Sequence, residues 1–572
     1  MTDRDEAHAD QVGWIEGANG PLFTWLHAPA PGAPRRSRAV VICEPYGPDR
    51  MNLHLSHRTL ALLLAEQGFA TVRFDPFGTG DSSGSPRDPG FVVDWLSDFD
   101  AASSLVRAHA GVGEVVAIGT RFGGTLAAWV SAQRSEVTSV AAWGLYLKGG
   151  DFLRAERMLT KVSGANGSGR PADHAAAGDE AYLGFVYPAE ARVAIEAIQL
   201  AELEPKSCRR ARIVAWDDDS NENRLAAAWL AAGVDVSYVG ADGFRSDDSI
   251  VSQAVPEAML RDTVAWVVEG ESAASGESEQ AERTSFESPL VVRADAPVYR
   301  GLGSVPGTTT LDERVVWFGE NDELIGIATL PPEGAQAGKP ALVLVNGGNN
   351  HRPGINRNYT EWARNAAQAG HVCLRFDIRG LGDSPPKRPE DRNVVFRDET
   401  RDDVCAAIDQ VSELSPESGV YLAGLCAGAY QALHAAKVDS RVRGVILLDL
   451  LRWDPDAPAH LKTGFWSRRR KSFERIARPV VRRLLGDEKS SLALGLLELT
   501  GRGTGVLVVS CVEGKGFELV RDALGDDLET LESCDEFKFV AIEDTNHIFT
   551  PLWAQAWLWD QIAAFLTRGS HR

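Results

Sequence analysis

A cysteine between two glycines is the residue of this chain best placed to do chemistry. Cys426 lies in segment 424–428, Gly-Leu-Cys-Ala-Gly, between an apolar run and an alanine-rich stretch. This pattern predicts a nucleophile elbow, a sharp strand-to-helix turn with the nucleophile at its apex. Glycine suits both flanks because the backbones approach too closely there for a Cβ, and the next helix directs its N-terminus at the thiol. Cys426 is therefore a candidate nucleophile; the alternative is a small buried cysteine beside a helix start.

A cysteine nucleophile also needs a base and donors for an oxyanion. His547 is the candidate base, since it follows an apolar, strand-like run and precedes the terminal helical stretch 553–566. The backbone N–H of Ala427, the residue after the nucleophile, is expected to be one oxyanion donor. Three other histidines of the second half fit less well, because of their places in the predicted elements: His371, His434 and His460.

The elements that must position these residues occur twice in the chain. Segment 374–386, LRFDIRGLGDSPP, repeats segment 72–84, VRFDPFGTGDSSG, and segment 421–436 repeats segment 116–132 in place and pattern. In each half, apolar strand-like runs alternate with amphipathic helical stretches, which predicts a mostly parallel sheet flanked by helices. A duplication of this order and spacing is a stronger signal than any single motif. The fold class is therefore α/β, in two tandem domains.

Composition changes mark the borders of these domains. Residues 269–287 are rich in Ser, Glu and Ala and poor in large apolar residues, which is typical of a linker. We predict a first domain over residues 1–270, a linker over 271–287 and a second domain over 288–572. A helical lid is expected at about residues 452–504, within the second domain.

The motifs RFDPFGTGDSSG and AIGTRFGGTLAAW resemble α/β-hydrolases of the serine-aminopeptidase-like type. The whole pattern resembles tandem α/β-hydrolases related to those associated with exosortase and exopolysaccharide loci. The motifs that carry this resemblance are GTRFGG in one half and GLCAG, NGGNNHRPGINR and LRFDIRGLGDS in the other. The resemblance implies two α/β-hydrolase domains, and it implies that His547 occupies the family's position for the catalytic histidine. It does not identify a substrate, because this fold hosts esterases, thioesterases, acyltransferases and other enzymes.

The first half departs from the family pattern at its elbow. Arg121 stands where the nucleophile belongs, and a guanidinium stays protonated at any working pH. No histidine occurs between His174 and His351, so the loop 240–249 offers no base. We interpret this half as a hydrolase fold without hydrolase chemistry, a pseudoenzyme domain with a structural or regulatory role. Arg121 either binds an anionic group or is satisfied by protein carboxylates and carbonyls.

The resemblance also implies an acid in the second half, where three carboxylates are candidates. The family usually places an aspartate after the strand formed here by residues 505–511, and Glu513 lies nearest that position. Glu518 is further along, and Asp449 follows the preceding strand, from which some members take the acid. We favour Glu513 and leave the other two open.

The loop 346–357, NGGNNHRPGINR, resembles the glycine-rich oxyanion loop of the fold. Gly347 or Gly348 is expected to supply the second N–H donor. His351 and Arg352 follow on this loop, where they either meet a substrate carboxylate or phosphate or are ordinary surface residues.

Charge and composition restrict the partners and the compartment. The net charge of −21 argues against nucleic-acid binding, and the sequence contains no long apolar run able to span a membrane. Seven scattered cysteines and an acidic N-terminus without a visible secretion signal favour the cytoplasm. A basic stretch within the predicted lid either receives a coenzyme A phosphate or an acidic carrier domain, or is a solvated helix. No metal or cofactor is predicted, and the sequence does not give an oligomeric state.

These observations favour an enzyme that transfers an acyl group from an ester or thioester through an acyl-Cys426 intermediate. The enzyme is expected to be a hydrolase or thioesterase, or else an acyltransferase. Its expected substrate is a small acyl compound, which is either free or bound to a carrier protein or coenzyme A. The rival interpretation is a non-catalytic binding or scaffold protein in which both halves have lost activity. The retained Cys–His pair argues against the scaffold.

Overall fold

The computed structural model describes residues 10–163, 178–216, 222–240, 255–274, 295–299, 310–336, 338–397, 399–416, 418–454 and 490–569. Within these ranges the chain forms two mostly parallel sheets, each flanked by helices. We call the part up to residue 274 the N-terminal unit and the part from residue 295 the C-terminal unit. The prediction of two α/β units in tandem is confirmed.

The N-terminal unit contains an eight-stranded sheet and a separate two-stranded hairpin. Its strands are β1 (Gln11–Glu16), β2 (Pro21–His27), β3 (Arg38–Cys43), β4 (Thr71–Phe74), β5 (Glu114–Thr120), β6 (Val137–Trp143), β7 (Glu180–Tyr182), β8 (Phe185–Tyr187), β9 (Arg210–Val214) and β10 (Asp235–Val239). The sheet order is β1-β2-β4-β3-β5-β6-β9-β10, with antiparallel pairing at β1–β2 and β2–β4 and parallel pairing elsewhere. Strands β7 and β8 form the hairpin.

Seven helices accompany these strands in the described part of this unit. They are α1 (Pro48–Glu66), α2 (Trp95–Ala110), α3 (Phe122–Ser131), α4 (Gly149–Val162), α5 (Ala189–Glu196), α6 (Glu222–Ala231) and α7 (Glu257–Ala274). Helix α7 runs through Ala274, into the segment predicted as linker. The division into domains itself stays a prediction.

The C-terminal unit repeats the plan with one added edge strand. Its strands are β11 (Asp295–Tyr299), β12 (Thr310–Phe318), β13 (Leu324–Leu330), β14 (Ala341–Val345), β15 (Cys373–Phe376), β16 (Val420–Leu425), β17 (Val442–Leu448), β18 (Gly505–Cys511) and β19 (Phe537–Ile542). Their order is β11-β12-β13-β15-β14-β16-β17-β18-β19, antiparallel up to β15 and parallel beyond it. Its helices are α8 (Asn358–Gln368), α9 (Thr400–Leu414), α10 (Ala427–Val438), α11 (Ser491–Gly501), α12 (Lys515–Leu524), α13 (Asp527–Glu532) and α14 (Leu552–Gly569).

The central strands are short apolar runs because helices cover both faces of the sheet. All five residues of β14, Ala-Leu-Val-Leu-Val, are buried, and all six residues of β16 are buried beside them. These two strands are parallel neighbours, so their carboxyl ends meet at the same edge of the sheet. The elbow and the glycine-rich loop therefore begin next to each other.

The predicted lid lies mostly outside the described residues. Residues 455–489, which include most of its basic stretch, are not described. Its last part forms α11, which Ser490 caps by accepting a hydrogen bond from the N–H of Ala493 at 3.1 Å. This helix buries Leu492, Leu496 and Leu499 against the core. Among the described helices, none has both the length and the apolar character needed to cross a membrane.

The two units contact each other through the motif that the sequence repeats. Arg73 of the first copy donates to Asp383 of the second at 2.9 Å, and Arg375 of the second lies 3.2 Å from Asp81 of the first. Both ion pairs are buried, and Arg375 is fully inaccessible. The exchange is reciprocal, since each unit offers its arginine to the other unit's aspartate. A small apolar cluster of Trp14, Phe23 and Ile327 also joins the units.

Candidate active site

The turn between β16 and α10 has the geometry that the Gly-x-Cys-x-Gly pattern predicts. Cys426 has φ 56° and ψ −110°, a conformation that L-residues rarely adopt, and its side chain is half-buried. A Cβ added at Gly424 would lie 2.2 Å from the carbonyl carbon of Gly428, and one at Gly428 would lie 2.4 Å from the oxygen of Val345. Neither glycine accepts a side chain, so the sharp turn depends on both.

His547 lies beside Cys426, in the loop between β19 and α14. The Cys426 side chain lies against its ring, and its Nδ1 is hydrogen-bonded to the carboxylate of Asp449. Asp449 follows β17 with φ 42° and is fully buried, whereas the His547 side chain is 31% exposed. The structure therefore brings a thiol, an imidazole and a buried carboxylate into one chain of contacts.

The carboxylate at His547 is Asp449 and not Glu513, which corrects our prediction of the acid. Glu513 is exposed, and its Oε1 accepts a hydrogen bond at 2.9 Å from the backbone N–H of Asp544. Glu518, the second candidate, is an exposed residue of the first turn of α12. The structure thus places Asp449, one of the two candidates left open, at His547.

The sequence contained a signal for Asp449 in the two glycines of segment 511–516, Cys-Val-Glu-Gly-Lys-Gly. A Cβ added at Gly516 would lie 2.6 Å from Oδ1 of Asp449, and one at Gly514 would lie 3.1 Å from Oδ2. Oδ1 also accepts from the backbone N–H of Cys511 at 3.1 Å. The glycines leave room for the aspartate of the neighbouring strand, and Glu513 between them points elsewhere.

The charge state of His547 follows from these contacts. Burial lowers the pKa of His547, but the hydrogen bonds to Asp449 and Cys426 outweigh it and raise the pKa to about 10. The imidazolium form is therefore favoured over the usual pH range.

The glycine-rich loop 346–357 lies against the elbow. A Cβ added at Gly347 would lie 3.3 Å from the carbonyl oxygen of Leu425, the residue before the nucleophile. The hydroxyl of Tyr359 ties the two segments together, since it donates to the oxygen of Val345 at 3.0 Å and accepts from the N–H of Leu425 at 3.2 Å. Gly348 follows with φ 58°, and Ala427 is the first residue of α10, where the N–H has no acceptor within its own helix.

His351 and Arg352 fit neither of the two alternatives, substrate contact or ordinary surface residue, because both are buried where the units meet. Arg352 is 2% exposed and binds three carboxylates at the interface of the units, those of Asp81, Asp377 and Asp383. His351 is 3% exposed and stacks on His54 of the N-terminal unit, with 3.9 Å between ring centroids. Both side chains hold the units together.

The N-terminal unit has the same elbow backbone with a different occupant. Arg121 has φ 56° and ψ −128°, close to the values at Cys426. Its guanidinium donates to the carbonyl of Gly144 at 3.2 Å, lies 3.5 Å from Asp49 and stacks on the ring of Trp216. Arg121 was expected either to bind an anionic ligand or to be bound by protein groups, and in the structure protein groups surround its guanidinium. Residues 241–254, which include the loop expected to lack a base, lie outside the described residues.

Comparison with known proteins agrees with the duplicated plan. The family model for the alpha/beta hydrolase fold matches residues 39–178 and again residues 340–489, together just over half of the chain. No curated protein matches the chain.

Several solved structures are similar to one unit of the chain. The α/β hydrolase GrgF from Penicillium sp. sh18 shares 21% identity with a TM-score of 0.30, and the match covers 46% of this chain and 99% of that one. Est1E from Butyrivibrio proteoclasticus shares 14% identity over 45% of this chain and 98% of its own, with a TM-score of 0.32. XC6422 from Xanthomonas campestris, described as an α/β serine hydrolase without a lid, shares 15% identity over 48% and 97%, with a TM-score of 0.30. The duplicated family match, on two sheets of corresponding strand order, identifies the chain as a tandem member of the alpha/beta hydrolase fold family.

Proposed function

We propose that the C-terminal unit is a cysteine-dependent acyl-transfer enzyme acting on an ester or thioester. The observation that carries this proposal is the chain of contacts from the half-buried Cys426 through His547 to the buried Asp449. Nucleophile, base and orienting acid follow the carboxyl ends of three different strands, and together they supply the three roles used in triad-type acyl transfer. The fold family supports a hydrolase; the cysteine mechanism is our proposal.

In the first half-reaction, the Cys426 sulfur attacks the carbonyl carbon of the substrate. His547 holds the thiol proton, a C–S bond forms, and the carbonyl oxygen takes the negative charge of the tetrahedral intermediate. The backbone N–H of Ala427 and that of Gly347 or Gly348 are the proposed donors to this oxygen. When the intermediate collapses, the bond to the leaving alkoxide or thiolate breaks, the leaving group takes the proton from His547, and acyl-Cys426 remains.

In the second half-reaction, water, an alcohol or an amine attacks the acyl-cysteine. His547 accepts the proton of the attacking group and returns it to the departing Cys426 sulfur, so that the thiol is restored. Asp449 holds the ring by its Nδ1 throughout, which keeps Nε2 directed at the reacting atoms. Water as acceptor makes the enzyme a hydrolase or thioesterase, and an alcohol or amine makes it an acyltransferase. A carrier protein or coenzyme A is a possible acyl donor under either outcome.

Intact-protein mass spectrometry tests this proposal. Wild type, Cys426→Ala and His547→Ala are incubated with p-nitrophenyl acetate and with an acetyl thioester. We expect an acetyl adduct on wild type, none on Cys426→Ala and slow formation on His547→Ala. Cys534→Ala is the matched control, since Cys534 is also half-buried but lies away from the site. An adduct that persists in Cys426→Ala would refute the assignment of the nucleophile, and no adduct on any variant would favour the scaffold interpretation.

A further inference from the structure

A cleft of about 480 Å³ lies between the two units. The N-terminal unit contributes Tyr46, Met51 and the hairpin residues 184–186, and the C-terminal unit contributes Trp362 and Trp559 among others. A volume of this size accommodates a small organic molecule, and the mixture of aromatic and polar walls is typical of ligand pockets. The cleft exists only because the pseudoenzyme unit covers the catalytic one.

A buried amide without partners lies in the wall of this cleft. Asn356 is 9% exposed, and within the described part of the chain neither its Oδ1 nor its Nδ2 has a hydrogen-bond partner. Its backbone has φ 55° and ψ 24°, in the left-handed region that asparagine adopts more readily than most residues. Oδ1 of Asn365, which lines the same cleft, also has no partner in the described residues. Burying unpaired amides is unfavourable, and a ligand with a donor and an acceptor side by side would satisfy them.

The tip of the β7–β8 hairpin is shaped to approach these amides. Gly184 has φ 86°, and a Cβ there would lie 2.4 Å from Nδ2 of Asn356 and 2.8 Å from Nε2 of Gln555. Gln555 in turn donates to the carbonyl of Gly184 at 3.1 Å. The N-terminal unit therefore closes one side of the cleft with Gly184, at a position where a larger residue would be strained and would collide with Asn356.

The two buried arginines of the walls are already paired, which favours a neutral ligand, and Asp560, which also lines the cleft, is exposed. Arg357 binds Glu361 at 2.5 Å and also donates to two backbone carbonyls of the N-terminal unit. Arg50 is paired with Asp75. A charged ligand would have to compete with these buried pairs, whereas a neutral group does not.

The cleft lies close to the reacting cysteine. It shares Asn358 and Trp362 with a small cavity that is also lined by Gly347, Leu425 and Ile548. Leu425 precedes Cys426 in the chain, Ile548 follows His547, and Gly347 is a proposed oxyanion donor. The small cavity beside the cleft is thus lined by chain neighbours of both the nucleophile and the base.

We propose that this cleft binds the non-reacting part of the substrate, a neutral group such as a carboxamide carried on an aromatic or apolar body. The assignment to a substrate rests on the proposed function. Asn356 supplies the complementary donor and acceptor, Trp362 and Trp559 pack on the apolar body, and the hairpin of the N-terminal unit forms the cover. The pseudoenzyme unit is thereby part of the substrate site.

The binding test uses Cys426→Ala, so that no chemistry is needed. Ligand-observed NMR titrations compare benzamide with acetophenone, which has the acceptor but lacks the donor. We expect benzamide to bind about tenfold more tightly than acetophenone and to lose about tenfold in affinity with Asn356→Gly, which suits the positive φ. Ala556→Trp, in the cleft wall, should abolish binding, and Ala563→Trp, further along α14, should leave it unchanged. Equal binding of the two probes, or benzamide binding that survives Ala556→Trp, would overturn the proposed site.

The substrate assignment is tested on the active chain with two matched esters. p-Nitrophenyl hippurate carries a benzamide group, and p-nitrophenyl 4-phenylbutyrate has the same length without the amide. We expect wild type to prefer the hippurate ester by about tenfold in kcat/KM, Asn356→Gly to lose that preference, and the control Ala563→Trp to keep it. Acylation with no change of preference overturns the substrate assignment alone. Absence of acylation by both esters and by p-nitrophenyl acetate refutes the proposed function, and benzamide binding then reports on the cleft by itself.

Discussion

Replacing Asp449 by asparagine tests the corrected site most directly. Asp449 is fully buried, and its oxygens serve two partners: Oδ2 holds Nδ1 of His547, and Oδ1 accepts from the N–H of Cys511. Asparagine keeps the size and one acceptor but removes the charge. A hydrogen bond to a charged group contributes about 1.5–3 kcal/mol, so its loss should lower the pKa of His547 from about 10 by about one to two units.

The same loss should slow acylation of Cys426 by about 10- to 150-fold, since each 1.4 kcal/mol is a factor of about ten in rate. A stopped-flow burst of p-nitrophenolate at neutral pH measures the rate, and NMR of isotope-labelled histidine measures the pKa of His547. Glu513→Gln is the matched control, because it keeps the acceptor for the N–H of Asp544 and should change the rate by less than about twofold. The reasoning is refuted if Glu513→Gln slows acylation as much as Asp449→Asn, or if Asp449→Asn leaves the pKa of His547 unmoved.

Three further predictions concern the interface, the glycines and pH. Asp81→Asn removes a negative charge that the buried guanidiniums of Arg352 and Arg375 share, so it should lower the free energy of unfolding in urea by about 3–5 kcal/mol. The exposed control Arg154→Ala should lower it by under about 0.5 kcal/mol. Similar losses for the two variants would contradict this reasoning. Gly516→Ala should displace Asp449 and slow acylation of Cys426 by about tenfold. Gly501→Ala, which has open space around its Cβ, should leave the acylation rate unchanged. Equal rates for the two variants would show that a methyl group at position 516 does not disturb Asp449. Burial raises the pKa of Glu156 to about 8 from 4.5, so the folded state binds this proton more tightly and stability falls as pH rises through that window. Glu156→Gln, which stays neutral, should therefore raise Tm more at about pH 9 than at about pH 4 in scanning calorimetry, and an equal gain at both would show that the carboxyl does not titrate there.

The elbow and the tandem plan could be predicted from the sequence because their signals are local. The Gly-x-Cys-x-Gly spacing indicates that no side chain fits at the two glycines, and the structure shows the same at Gly424 and Gly428. Apolar runs that alternate with helical stretches predict a parallel sheet, which the structure contains. The acid could not be predicted in the same way. Asp449 and Glu513 follow neighbouring parallel strands, so both lie at the same sheet edge, and only the three-dimensional path of each loop decides which carboxylate meets His547.

The burial of His351 and Arg352 at the interface of the two units could not be predicted, because it depends on a contact between distant parts of the chain. In a single unit, a polar loop beside the elbow would face solvent or substrate. Here the other unit covers it, and Arg352 meets Asp81, which lies far away in the sequence. The repeated Arg-Phe-Asp motif showed that the two halves share a plan, but it did not show that the two copies of the motif touch.

The reciprocal exchange between Arg73 and Asp383, and between Arg375 and Asp81, has an evolutionary consequence. It is the pattern of a twofold homodimer, in which each subunit offers the same surface to the other. A gene encoding one such subunit needs only duplication and fusion to produce this chain, because the interface is already self-complementary. After fusion the two copies are free to diverge under different selection: one now carries Cys426 at its elbow and the other Arg121, while both keep the surface that joins them.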